Sequence, residues 1–176
     1  MIAHQCNYLG DAARCLGDYT QAGRWYAESR ISSAQSGFKG ELAWALTGMG
    51  FVALAEGDAS GAERLFHQAL RFRKAEKNIR GIATCLVGLG SVSSLLGQTE
   101  QAVKAMGAFE SMHCKNPRLF LPADLCEFQQ GLKTVRMALG AETFTRLRGE
   151  GLQLSLEQAV ELFPPAGLNG SGKPGT

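Results

Sequence analysis

The first 116 residues contain no proline; all five prolines fall later, at Pro117, Pro122, Pro164, Pro165 and Pro174. Nothing in the opening stretch therefore interrupts a long helix, since proline removes a backbone donor and clashes with the preceding turn. Charge of one sign is also missing. The 176 residues carry 18 Lys and Arg against 16 Asp and Glu, a formal net charge of +2. That balance excludes the broad positive field that gathers nucleic acid or anionic membrane. No apolar run approaches the ~20 residues needed to cross a bilayer. The start, Met1-Ile2-Ala3-His4-Gln5-Cys6-Asn7, lacks the basic region and hydrophobic stretch of a secretory signal. The cysteines at 6, 15, 85, 114 and 126 are odd in number and form no C-x-x-C pair. They do not read as a disulfide scaffold but as small buried hydrophobes in a reducing cytoplasm. With 45% apolar and 19% charged residues, the expectation is a cytoplasmic, mostly globular protein with a real core.

Glycine is plentiful, 22 residues in all, which would ordinarily count against helix. Its placement resolves the conflict. A shift of 40 residues lays the sequence on itself twice, aligning Gly10, Gly50 and Gly90, then Gly17, Gly57 and Gly97. Ala22, Ala62 and Ala102 align, as do Ile2, Leu42 and Ile82, Leu9, Met49 and Leu89, and Tyr26, Phe66 and Met106. Each copy reads as two helices. Leu42, Leu46, Met49, Gly50 and Ala53 give the first a 3.6-residue period; Gly57 stops it, and Asp58 caps a second helix bearing Ala62, Phe66 and Ala69. Glycines inside the first helices would let neighbouring helices approach closely.

Leu9-Gly10, Ala13, Gly17-Asp18-Tyr19, Ala22, Tyr26 and Ser29 resemble the tetratricopeptide repeat. The second copy keeps Met49-Gly50, Ala53, Gly57-Asp58, Ala62, Phe66 and Ala69; the third departs from it at Ser93 and Thr99. The resemblance implies an all-α, right-handed α-solenoid of helix-turn-helix repeats, three copies with a C-terminal helical cap. A period of 40 in place of the usual ~34 is similar to the longer repeats of large bacterial signalling ATPases and transcriptional activators. Residues 151–160, from Gly151 to Val160, resemble the extreme C-terminus of such regulators, which join an ATPase core and repeats to a LuxR-type or cyclase-type domain.

The expected organisation is three repeats over 1–121 (about 1–40, 41–80 and 81–121), capping helices over 122–163 and a disordered tail over 164–176. Leu125, Phe128, Leu132, Val135 and Leu139 form the stripe of the helix expected to cap the third repeat. Ser155-Leu156-Glu157-Gln158 opens the last helix with a capping box. A solenoid needs caps at both ends. The sequence opens directly on a repeat helix, so a larger parent chain or another surface is expected to cover Ile2, Cys6 and Leu9.

Several motifs tempt. Gly167 to Lys173 spells most of a phosphate-binding loop, but Pro174 stands where Ser or Thr must follow. Gly48-Met49-Gly50-Phe51-Val52-Ala53 spells a dinucleotide fingerprint, yet lies within a helical pattern and lacks the strand that the fingerprint requires. His4, His67 and His113 share no metal-ligand spacing, and no nucleophile–base or paired-carboxylate arrangement is visible. No catalytic residue, cofactor or metal is expected. Arg71, Arg73, Lys74, Lys77 and Arg80 read as a solvated outer surface, with a nucleic-acid or acidic-partner contact as the alternative.

Function is expected along the hollow. The faces lining it are His4, Asn7, Tyr8, Asp11 and Arg14 in the first copy, Trp44, Thr47, Phe51 and Leu54 in the second, and Thr84, Val87 and Ser91 in the third. The resemblance implies that a protein, peptide or small effector binds there, and the columns lack the Lys and Asn residues of a chaperone-type carboxylate clamp. Trp44 and Phe51, two helical turns apart, are the candidate aromatic anchors, or else core. The alternative function is self-association through the first repeat.

Overall fold

Helix ends fall where the sequence is punctuated. Gly17, Gly57 and Gly97 stand at φ 79°, 83° and 78°, a left-handed conformation that glycine adopts without strain. The following acid then caps the next helix: Asp18 accepts from the Gln21 N–H at 2.9 Å, and Asp58 from that of Gly61 at 2.8 Å. Between repeats Gly37 takes φ 71°, but its counterpart in the next copy is Lys77, at φ 52°. There Asn78 supplies the cap, accepting from the Gly81 N–H at 2.8 Å.

The structure, a computed structural model, describes residues 2–164. Of the tail expected over 164–176, residues 165–176, with the phosphate-loop spelling at Gly167–Lys173, lie outside the described residues. Among the described residues there are nine α-helices and no strand. They are α1 (Ile2–Cys15), α2 (Tyr19–Ser36), α3 (Lys39–Ala55), α4 (Ala59–Ala75), α5 (Ile79–Leu95), α6 (Thr99–Lys115), α7 (Pro122–Met137), α8 (Ala141–Leu152) and α9 (Leu156–Glu161). The pairs α1–α2, α3–α4 and α5–α6 stack as successive hairpins of a right-handed α-solenoid, with α1, α3 and α5 on its inner side.

The glycines inside the inner helices have a use that the sequence reading did not name. A Cβ on Gly10 or Gly48 would collide with the fully buried Tyr26 ring, and one on Gly50 or Gly88 with that of Phe66. Each outer-helix ring thus lodges between glycines of two successive inner helices. In the third copy Met106 fills the place, between Gly90 and Gly131. Around these sockets Leu46, Leu86, Leu89, Val92 and Phe109 are at most 2% exposed.

The cap differs from expectation. α8, not α7, closes the edge of the third hairpin: Gly151 lies against the Lys104 backbone, and Gly107 against the backbone of Arg148 and Leu152. The chain at and after α9 adds the buried Ala159 and Phe163, and the Ser155–Gln158 box forms in both directions. α7 instead leans into the hollow, packing on α5 and α6 and reaching α1. Its buried face is Ala123, Asp124, Phe128, Gly131 and Val135. Phe128 stacks on Phe109 with centroids 4.7 Å apart, and Phe120 lies 4.6 Å from Phe109 on another side. The physical reasons are visible in its sequence. Pro122 starts the helix, Gly131 completes the Met106 socket, and acids at 124 and 127 meet arginines of the inner layer.

Candidate functional site

The inner face is built around Arg14, which α1 points toward the solenoid axis. Its Nη2 donates to Asp11 Oδ1 at 3.2 Å, its Nε to the Tyr26 hydroxyl at 3.1 Å, and its Nη1 to Glu127 Oε1 at 2.6 Å. The guanidinium lies over the Phe51 ring at 4.7 Å, a cation–π contact strengthened by desolvation. Tyr26 donates to Asp11 Oδ1 at 2.6 Å, and Trp44 Nε1 to Asp11 Oδ2 at 3.1 Å. Burial alone would weaken the Arg14 charge, but Tyr26, Glu127 and Asp11 outweigh it and push the guanidinium pKa up. Burial also raises the Tyr26 hydroxyl, with help from Asp11. Glu127 is raised by burial in spite of the opposing pull of Arg14.

A second knot ties α5 to the start of α7. Asp124 accepts from Arg80 Nε at 2.8 Å, from the Thr84 hydroxyl at 3.1 Å and from the Leu121 N–H at 2.8 Å. Such charge-assisted bonds are the stronger kind, and Asp124 is only 2% exposed. Arg80 continues over the Trp44 ring, 5.1 Å from its centroid. At the outer rim His4, Tyr8 and Trp44 meet edge to face, with centroids 4.9 Å apart for His4–Tyr8 and Tyr8–Trp44 and 5.7 Å for His4–Trp44. His4 and Asn7 both bond Glu41, at 3.0 Å and 2.9 Å.

The expected site residues therefore divide. His4 and Tyr8 are exposed, and Trp44, Leu54 and Ser91 are partly buried. Asn7, Asp11, Arg14, Thr47, Phe51, Thr84 and Val87 are buried. Phe51, expected as either an anchor or core, is 2% exposed and sits edge-on to Phe66, centroids 5.0 Å apart. It is core, because Arg14 lies over its ring and Phe66 against its edge. Asp11 has both carboxylate oxygens committed to Arg14, Tyr26 and Trp44, and Asn7 is fully buried with its amide NH2 on Glu41 and its Oδ1 unpartnered, so neither faces a partner's backbone. The basic run also needs correction. Arg71, Lys74 and Lys77 are exposed, but Arg73 is 8% exposed, laid in the space beside Gly81, and Arg80 turns inward to Asp124. The residues from Gly48 to Ala53 lie within α3, where they pack helices. Sequence reasoning missed Glu41, Asp124 and Glu127. The i, i+3 spacing of two acids behind Pro122 was the signal available.

α7 leaves open a cleft of about 320 Å³ beside the C-terminal halves of α3 and α5, bordered by Leu54, Ala55, Ser94, Leu95, Gln130 and Thr134 among others. Among the described residues no group of three His, Cys, Asp or Glu could hold a metal ion, and no helix is long and apolar enough to cross a membrane.

The family model for the tetratricopeptide repeat matches residues 1–75, the span from α1 to the end of α4. No curated protein and no solved structure matches the chain. The matched residues and the stacked helical hairpins together support a tetratricopeptide-repeat protein.

Proposed function

We propose that the chain is a non-catalytic scaffold that binds a protein or peptide segment on the inner face of its solenoid, with α7 as one wall of the site. The observation that carries this reading is the aromatic rim. Tyr8 is 48% exposed, yet it is held edge-on by His4 and Trp44, so a large ring is already ordered for contact. Ordered, accessible aromatics beside an arginine, here Arg80, are the usual composition of binding hot spots. The open cleft beyond α7 gives the same segment room to continue, or a small effector room to bind. Placement within a larger bacterial regulator follows from the sequence resemblance of the long repeats and of residues 151–160.

The test is capture by immobilised protein, comparing the parent chain with Tyr8→Ala. Because Tyr8 is a surface residue, the variant should keep its helical circular dichroism and cooperative melt. Loss of an anchor worth ~2 kcal/mol weakens capture about 30-fold. Undiminished capture by a folded Tyr8→Ala chain rules the rim out.

Self-association has its own observation. Ile2 and Leu9 are 61% and 46% exposed, whereas their counterparts Ile82 and Leu89 are 6% and 2% exposed. The first repeat thus presents an apolar stripe that the third repeat buries. A mass by sedimentation that stays monomeric at every concentration sinks this second reading.

A further inference from the structure

Cys15, Cys114 and Cys126 are the free cysteines exposed at the surface among the described residues, while Cys6 and Cys85 are buried. Two of the exposed ones are brought together by the fold. Cys15 is the last residue of α1 and Cys126 lies within α7. Their chain neighbours Arg14 and Glu127 meet at 2.6 Å, which fixes the crossing of the two helices one residue from each sulfur. There the Cys126 side chain comes within hydrogen-bonding reach of the Cys15 thiol. Nothing in the chain's local sequence relates them; only α7's departure into the hollow does.

We propose that Cys15 and Cys126 are a site of reversible disulfide formation that fastens α7 to α1. The oxidant is a small-molecule disulfide such as oxidised glutathione. One protein thiolate attacks a sulfur of that disulfide, breaking its S–S bond and expelling a glutathione thiolate. The second protein thiolate attacks the protein sulfur of the mixed disulfide, forming the Cys15–Cys126 bond and expelling the second glutathione thiolate. The two cysteines lose two electrons and two protons; the two glutathione products gain them. Both residues are exposed at the surface.

The surroundings set the pace. Burial, then the neighbouring Cys126, pushes the Cys15 thiol up to about 11, with Asp11 acting the same way and Arg14 opposing. Tyr19 also faces the pair, and burial and Glu127 raise its hydroxyl. At neutral pH the Cys15 thiol is therefore protonated and slow to attack, and its rate rises as the medium becomes more alkaline. Fastening α7 fixes one wall of the inner-face cleft, although the bond stands or falls independently of what binds there.

The experiment treats the full chain with oxidised glutathione, quenches with acid, blocks free thiols with N-ethylmaleimide and maps tryptic peptides. The expected result is a linked pair of the peptides 15–24 and 119–133, in a monomer whose mass has fallen by two hydrogens. The melting temperature should rise by several degrees and return on reduction. Cys15→Ser and Cys126→Ser should each abolish the link and the rise, while Cys114→Ser keeps both. Persistent single glutathione adducts on Cys15 or Cys126, linkage through Cys114, or covalent dimers would each overturn the proposal. Should a serine variant fold poorly, the map of the parent chain still decides.

Discussion

Gly48→Ala is expected to destabilise the protein although alanine is the better helix former. Position 48 lies inside α3, where replacing glycine ordinarily gains about 0.5–1 kcal/mol. Here the added methyl would collide with the Tyr26 ring. That ring cannot give way: its other side rests on Gly10, and its hydroxyl is tied to Asp11 at 2.6 Å and Arg14 at 3.1 Å. Overpacking of this kind costs about 1–3 kcal/mol. Displacing the hydroxyl from a charged partner adds about 1.5–3 kcal/mol. Set against the propensity gain, the net loss is about 1.5–5.5 kcal/mol. Gly23→Ala is the control, because the nearest atom to its new methyl is Val52 Cγ1 at an ordinary 3.5 Å; it should gain up to about 1 kcal/mol. Urea denaturation followed by circular dichroism measures both. In a Tyr26→Leu background the Gly48→Ala penalty should shrink, since a double-mutant cycle isolates the contact. A Gly48→Ala chain as stable as the parent refutes the socket.

Three further outcomes are expected. Lys77→Gly should stabilise the chain by about 0.5–1 kcal/mol, since Lys77 alone among non-glycine residues described holds a left-handed backbone, at φ 52°; an unchanged urea midpoint contradicts this. Phe128→Ala should cost about 3–5 kcal/mol, because the ring is 8% exposed and stacked on Phe109; a loss below about 0.5 kcal/mol would mark it as a surface change. The Asp58 carboxyl is held below its usual range by the Gly61 N–H. A lowered folded value means that its stabilising effect is present above the ordinary carboxylate range and fades as pH falls through its folded pKa; an NMR titration placing Asp58 at or above the ordinary value removes the capping argument.

What the sequence disclosed was local. The 40-residue shift, the glycine stops and the Asp caps are read within one hairpin, and each hairpin folded as they indicate. Phe51 was ambiguous because an inner helix has two adjoining faces, one toward its neighbours and one toward the hollow. Its burial is decided by Arg14, which lies over its ring from the preceding hairpin. Arg73 misled for a related reason: its long apolar stem can lie inward wherever a glycine such as Gly81 leaves space. The path of α7 was not legible, since it rests on Arg14 meeting Glu127 across 113 positions of sequence and on Arg80 meeting Asp124 across 44. Charge pairs over such separations leave no periodic trace.

A stack of repeats is in effect a one-dimensional chain, each unit answering only to its neighbours and able to fray from either end. α7 changes that topology. By gripping α1 while it packs on α5 and α6, it joins the first unit to the last and turns an open spring into a clasped ring. The first hairpin, bare on its leading edge, then cannot peel away alone: opening it means unseating Arg14 from Glu127 and disturbing the helix that also anchors Phe128. Pulled at its two ends, such a ring should resist as one body and then give way at once, where an unclasped spring would lengthen turn by turn.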